Sequence, residues 1–253
     1  MKALLQGKQV HAHIVRNGVV GNINVDTNIF IIYTKCSSLE DARPIFDQTA
    51  DRNLVSWTAM IAAYARSSNC NEALKLFHEM QRSGVKADCF LYPNLLKAGT
   101  GLTALQQGKE LHGSAIRNGF ESELFVGSAL VALYTKCMSM EFAHRVFDQM
   151  PQRTEATWNS LLAGYAQSNR RREAMKLFRE MQLAGVKPDS FTFGIVIAMC
   201  ANLAVLKHGK EIHGYIIGTG FELNVFVDSA LVDMHAKSGS AGNSHQVFDK
   251  MSL

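Results

Sequence analysis

SWTAMIAAYARSSNCNEALKLFHEMQRSGVKAD, residues 56 to 88, returns 101 positions later as TWNSLLAGYAQSNRRREAMKLFREMQLAGVKPD, residues 157 to 189. In the first copy Trp57, Met60, Ile61 and Tyr64 recur every three or four residues, which predicts a helix with one apolar face. Ala73, Leu76, Phe77 and Met80 repeat that spacing and predict a second helix, with Ser67-Ser68-Asn69 between the two. Gly84, and Gly185 in the second copy, stands where a left-handed residue closes a helix, and Lys187-Pro188-Asp189 then stops its continuation. Each copy therefore reads as a helix-turn-helix hairpin.

The same slide aligns most of the chain. ALLQGKQVHAHIVRNG (3–18) meets ALQQGKELHGSAIRNG (104–119) and then AVLKHGKEIHGYIIGTG (204–220). Self-similarity at a fixed period marks a solenoid, in which each unit buries its apolar face only against its neighbours. Shorter related units divide the period, because Val146-Phe147-Asp148-Gln149-Met150 resembles Leu177-Phe178-Arg179-Glu180-Met181. The expected units are a partial one at 1–22, then 23–53, 54–88, 89–123, 124–154, 155–189, 190–224 and an incomplete 225–253. No window sustains period-two alternation beside hairpin signals, so the expected class is all-α.

Charged residues make up 19% and apolar ones 47% of the 253, with four prolines, the balance of a packed chain. The net charge of +4 permits a polyanionic partner without demanding one. Five cysteines, Cys36, Cys70, Cys89, Cys137 and Cys200, form no C-x-x-C pair and read as free thiols. The longest apolar stretch, FGIVIAMCANLAVL, is broken by Asn202 and is too short to cross a bilayer, so no membrane partner is expected. The N-terminal MKALLQGKQVHAHIVRNG is an amphipathic pattern without a signal-peptide core; an organelle address in a parent protein would lie outside this chain.

Ala73 with Phe77 fits the Ala-x3-Phe element of tetratricopeptide units, but the alternating lengths of 31, 35 and 35 do not fit their constant repeat. The chain instead resembles the pentatricopeptide repeat family, in its plant-type subclass of standard, long and short units. The phrases that carry the resemblance are EALKLFHEMQRSGVKAD and EAMKLFREMQLAGVKPD in standard units, QQGKELHGSAIRNGF and KHGKEIHGYIIGTGF in long ones, and FVGSALVALYTKC with RVFDQMPQR in short ones. The pattern opens on the second helix of a long unit and stops inside a short one. The chain is thus expected to be truncated at both ends and to lack the deaminase-like C-terminal extension that this subclass often carries.

The resemblance implies a right-handed superhelical solenoid of helix-turn-helix repeats that binds single-stranded RNA, about one base per repeat, with the first helices lining the concave face. It also implies that the fifth and last residues of each unit read the base. These are Thr27 with Asn53, Thr58 with Asp88, Ser128 with Thr154, and Asn159 with Asp189, while Ser229 in the incomplete last unit has no partner. The second residue of each unit would pack on the base faces: Val55 fits, and the smaller Ala156 departs from the pattern. A carboxylate only accepts hydrogen bonds and suits the imino N–H of guanine or uracil, whereas an amide also donates and suits adenine or cytosine. The implied assignments are A for Thr27/Asn53, G for Thr58/Asp88 and U, then C, for Asn159/Asp189. Pro93/Glu123 and Gly194/Asn224 in the long units and Ser128/Thr154 are assigned no base. With the N-terminus toward the RNA 5′ end, the implied site is 5′-A-G-N-N-U-N-N-3′.

Chemistry is not expected in this chain: no catalytic residues, metal ligands, cofactor or small-molecule substrate are read. The H-x-E motif and C-x-x-C pair that a zinc-dependent cytidine deaminase needs do not occur. If the function is C-to-U editing in a mitochondrion or chloroplast, a deaminase or other editing factor would act in trans. The alternatives are a tetratricopeptide-like scaffold for proteins or a non-functional fragment. Trp57 and Trp158 fall on the predicted core face and are read as packing residues, not stacking platforms. His11, His112 and His213 lie a superperiod apart, too far to share a metal, and are read as packing or capping residues.

Overall fold

The computed structural model of the chain describes residues 2–18, 21–49, 52–67, 69–98, 104–201, 206–221 and 224–251. These residues form fifteen α-helices and no strand: α1 (Lys2–Arg16), α2 (Ile23–Lys35), α3 (Leu39–Gln48), α4 (Leu54–Arg66), α5 (Cys70–Arg82), α6 (Leu91–Ala98), α7 (Ala104–Arg117), α8 (Leu124–Lys136), α9 (Met140–Gln149), α10 (Glu155–Gln167), α11 (Arg171–Leu183), α12 (Ser190–Ala201), α13 (Leu206–Gly218), α14 (Val225–Lys237) and α15 (Ala241–Lys250). None is long and apolar enough to cross a membrane. Two compact units divide the chain, Met1–Cys137 with Gln149–Pro151, and Met138–Asp148 with Gln152–Leu253.

In the first unit the hairpins α2–α3, α4–α5 and α6–α7 follow one another, and α2, α4, α6 and α8 pack side by side. In the second, α10–α11, α12–α13 and α14–α15 are the hairpins, and α10, α12 and α14 pack side by side. A first helix thus touches its hairpin partner and the first helices flanking it. That is why α12 is apolar on nearly all sides, whereas the second helices α5, α9 and α11 carry one apolar stripe.

Left-handed residues make the turns. Gly84 and Gly185 have φ of 80° and 74°, as the closing positions of α5 and α11 require. Between the helices of a hairpin the left-handed residue need not be glycine: Ser37, Met138 and Asn169 have φ of 58°, 55° and 59°.

Each recurring phrase has a packing cause. The short-to-standard junction is an aromatic pair, Phe46 against Trp57 with ring centroids 5.0 Å apart and Phe147 against Trp158 at 4.6 Å, both edge to face. Both tryptophans are core residues, 2% and 3% exposed. The arginine just before the standard unit covers each pair. Arg52 donates from Nε to the Phe46 carbonyl (2.9 Å) and from Nη2 to that of Asp47 (2.8 Å), and Arg153 does the same to Phe147 (2.8 Å) and Asp148 (3.0 Å). These bonds satisfy carbonyls left open at a helix C-terminus.

The Gly-Lys-x-x-His phrase of the long unit seats a side chain of the next helix against a glycine. A Cβ on Gly7, Gly108 or Gly209 would fall within 3 Å of the Ile32, Leu133 or Met234 side chain on the next helix, so any larger residue there must displace that side chain. The histidine four residues later then clasps that helix: His11 Nδ1 lies 3.0 Å from the Tyr33 hydroxyl and His112 Nδ1 2.9 Å from that of Tyr134. In the third copy a histidine replaces the tyrosine, and His213 Nδ1 lies 3.0 Å from His235 Nε2. The histidines are therefore clasps between helices, as their spacing suggested.

Candidate nucleic-acid interface

The residue ending each expected unit stands just before the next first helix, and its side chain caps that helix. Oδ1 of Asn53 accepts the Ser56 N–H (2.9 Å), Oδ1 of Asp88 that of Leu91 (2.9 Å), Oγ1 of Thr154 that of Thr157 (3.2 Å), Oδ1 of Asp189 that of Thr192 (2.7 Å) and Oδ1 of Asn224 that of Val227 (3.0 Å). Helix N-termini leave amide hydrogens unpaired, and a short polar side chain is what satisfies them. Glu123, one methylene longer, makes no such side-chain bond to α8.

Capping orients the polar head. An Asn whose Oδ1 is taken by the helix presents its Nδ2, a donor; an Asp in the same place presents its second carboxylate oxygen, an acceptor. Asn53, Asp88 and Asp189 therefore differ in the sign of what they offer, and Asn53 is exposed.

The fifth-position residues lie deeper, between neighbouring first helices. Thr27 is 7% and Asn159 4% exposed, Thr58 and Ser128 are half-buried, and Ser229 is exposed. The structure brings Asn159 and Asp189 together: Asn159 Nδ2 donates to Asp189 Oδ1 (3.1 Å) and Oδ2 (3.2 Å), across thirty residues of sequence. Burial pushes the Asp189 carboxyl up, but bonds from the Thr192 backbone and hydroxyl and from Asn159 outweigh it and hold it below the ordinary value of 3.8, so it is an ionised acceptor. Among the described residues Thr27 and Asn53, and Thr58 and Asp88, are not joined in this way. The hydroxyl oxygens of Thr27 and Thr58 are buried without a hydrogen-bond partner, and Ser128 donates back to the Leu124 carbonyl of its own helix (2.7 Å).

Second-position residues are exposed throughout. Val55 is 58% exposed and Ala156 is exposed. Four phenylalanines share that position, Phe90, Phe125, Phe191 and Phe226, all more than half exposed. The sequence reading named only Val55 and Ala156; indexing the second residue of each long and short unit would have found the aromatics. Gly194, at the fifth position of its unit, lies beneath one of them: a Cβ there would be 2.4 Å from Phe226 Cε1. Thr192 was also missed: a capping box announces itself as Ser or Thr three residues before Glu or Gln, and Asp189-x-x-Thr192 reverses that order. Lys187 is exposed and lines a shallow depression with Arg153, Thr154 and Ala156.

Helical hairpins that recur along the chain, with α4 and α10 each preceded by a capping polar residue and carrying a polar residue at the fifth position of the unit and an exposed apolar one at the second, define a helical-repeat protein. Residues 153–202 match the PPR repeat family and residues 55–85 match the PPR repeat, so these two stretches are pentatricopeptide-like repeats. A pentatricopeptide repeat-containing protein of Arabidopsis thaliana is 37% identical over 242 residues, covering 96% of this chain and 33% of that protein. A chloroplastic and a mitochondrial pentatricopeptide repeat-containing protein of the same plant are 36% and 35% identical, covering 100% and 99% of this chain and 31% and 40% of theirs. The chain thus spans about a third of the length of these curated relatives. The crystal structure of the pentatricopeptide repeat protein PPR10 from maize superposes on 98% of this chain, and on 37% of its own, with a TM-score of 0.74 at 17% identity. PPR10 in complex with an 18-nt psaJ RNA element gives the same TM-score over 97% of this chain and 38% of that one. The likeness supports the helical-repeat fold.

Proposed function

We propose that the chain is a sequence-specific single-stranded RNA-binding module in which each of the units 23–53, 54–88 and 155–189 reads one base through its fifth and last residues. The observation that carries this reading is the Asn159–Asp189 pair: residues thirty apart meet at a helix start, with one carboxylate oxygen used by the cap. The other oxygen can accept the N3–H of uracil, whereas cytosine offers a lone pair there and is repelled. Asp88, capped in the same way, would accept the N1–H of guanine beside the small Thr58, and Asn53 would donate from Nδ2 to N1 of adenine beside Thr27. The unpartnered hydroxyls of Thr27 and Thr58 support this, since a buried orphan oxygen gains by meeting a base edge. The exposed second-position side chains would cover the base faces, and Lys187 would neutralise phosphate.

The implied order is 5′-A-G-N-N-U-N-N-3′. The relatives' organellar names suggest transcript processing in a chloroplast or mitochondrion, such as recognition of a C-to-U editing site with the deaminase supplied in trans. Gel shifts should favour an A-G-N-N-U oligonucleotide over one with A and G exchanged, and affinity should fall steeply with salt as phosphate counterions are released. Equal binding to both oligonucleotides sinks the base assignments. Absence of any salt-dependent RNA affinity sinks the function, and leaves a protein-binding scaffold as the surviving reading.

A further inference from the structure

We infer that Thr192 is a third specificity-determining residue of the 155–189 slot, holding both reading side chains from the far side of the helix junction. The inference rests on the proposed reading of Asn159 and Asp189 as base contacts. Thr192 lies one turn into α12, fully buried. Its amide donates to Asp189 Oδ1 (2.7 Å) and its hydroxyl oxygen accepts the Asp189 N–H (3.2 Å), a reciprocal capping box. The single hydroxyl proton points between Asn159 Oδ1 (2.7 Å) and Asp189 Oδ1 (2.8 Å).

These contacts fix what each reading residue can show to the groove. Asn159 Oδ1 faces the Thr192 hydroxyl and Nδ2 faces the carboxylate; a flipped amide would set its oxygen against the negative charge of Asp189. Asp189 Oδ1 is engaged by the Thr192 amide and hydroxyl and by Asn159 Nδ2, whereas Oδ2 accepts from Asn159 Nδ2 alone among these groups (3.2 Å) and keeps acceptor capacity for a ligand. The slot is thus set for an imino donor before any ligand arrives. The corresponding residue after Asp88 is Leu91, which can supply the backbone cap but neither the reciprocal bond nor the hydroxyl proton. At that slot the Thr58 oxygen is indeed unpartnered.

Thr192→Val keeps the shape and removes the hydroxyl, so the buried Asn159 oxygen loses its donor and the amide must turn toward the groove. Binding is measured for oligonucleotides differing only in the base at the fifth place of the site. The wild-type preference for U over C should shrink about five-fold, the worth of one net hydrogen bond. Thr192→Ser, which keeps the hydroxyl, should retain it. A merely structural role would weaken binding to all four bases alike. In the free chain, the Asn159 side-chain amide protons should be protected from solvent exchange in the wild type and in Thr192→Ser, and lose protection in Thr192→Val. An unchanged U-to-C ratio in Thr192→Val, or unchanged amide protection, overturns the role of Thr192 alone. A wild-type chain that binds RNA without any preference at this base overturns the reading of the slot itself, and the role of Thr192 with it.

Discussion

Arg153→Met tests whether the junction that places Thr154 and α10 is held by the arginine or only by the aromatic pair beneath it. The guanidinium donates to the Phe147 and Asp148 carbonyls at 2.8 and 3.0 Å, and sits 4.7 Å from the Phe147 ring centroid and 6.0 Å from that of Trp158. Charge-assisted bonds to helix-terminal carbonyls at a half-exposed site contribute about 1 kcal/mol each, and the cation over the rings about 0.5 to 1 kcal/mol. Methionine keeps the apolar stem and forfeits all three, so the expected loss is about 2 to 3 kcal/mol. Lysine retains the charge but not the planar fork, and should lose roughly half of that. Because helical repeats can unfold piecewise, the probe must be local. In a Trp57→Phe background, Trp158 is the sole tryptophan and its fluorescence in urea reports the α9–α10 junction. A change below about 0.5 kcal/mol in that background would falsify the clamp and assign the junction to the aromatic pair.

Met138→Gly relieves a left-handed backbone at φ 55°, where the third copy already has Gly239 at 72°, and should stabilise the chain by up to about 1 kcal/mol in urea titration despite the greater freedom of glycine when unfolded. Burial first, then Lys250, holds the pKa of His213 below the ordinary 6.5 against the pull of Asp228, and burial first, then His213 and Lys210, holds that of His235 below it. The unfolded chain therefore binds more protons, so stability contributed by the pair is present above pH 6.5 and lost as pH falls below it; His235→Tyr, the residue found at 33 and 134, should flatten this acid limb in thermal melts at stepped pH. Thr58→Asn should move base preference at the second place of the RNA site from G toward U, by about five-fold in competition gel shifts. Gly194→Asn should swing Phe226 away, since its Cβ would lie 2.4 Å from the ring, and alter the aromatic proton shifts of that residue alone.

The helices and their pairing were legible because Trp57, Met60, Ile61 and Tyr64 must share one face, and that periodicity survives in every copy. The meeting of Asn159 with Asp189 followed from the repeat frame and the family resemblance, since nothing in either residue's neighbourhood announces a partner thirty positions away. Thr192 was overlooked for a different reason: a threonine inside an apolar stretch, SFTFGIVIAMC, reads as a tolerated core residue. Its polarity has meaning only once α10 is placed beside α12. The clasp histidines show the same limit, because His11 and Tyr33 are joined by the close approach of two helices and by no local pattern.

The capping bonds carry a consequence for how such a chain can change. A residue that ends a unit and closes the next helix must be short enough to bend back on it, as Asn53, Asp88, Thr154, Asp189 and Asn224 are. Where a longer side chain stands, as at Glu123, the helix starts without that bond. Folding thus limits the vocabulary before selection acts on it: a mutation that rewrites what one groove position recognises is also a test of whether the next hairpin still begins in the right place.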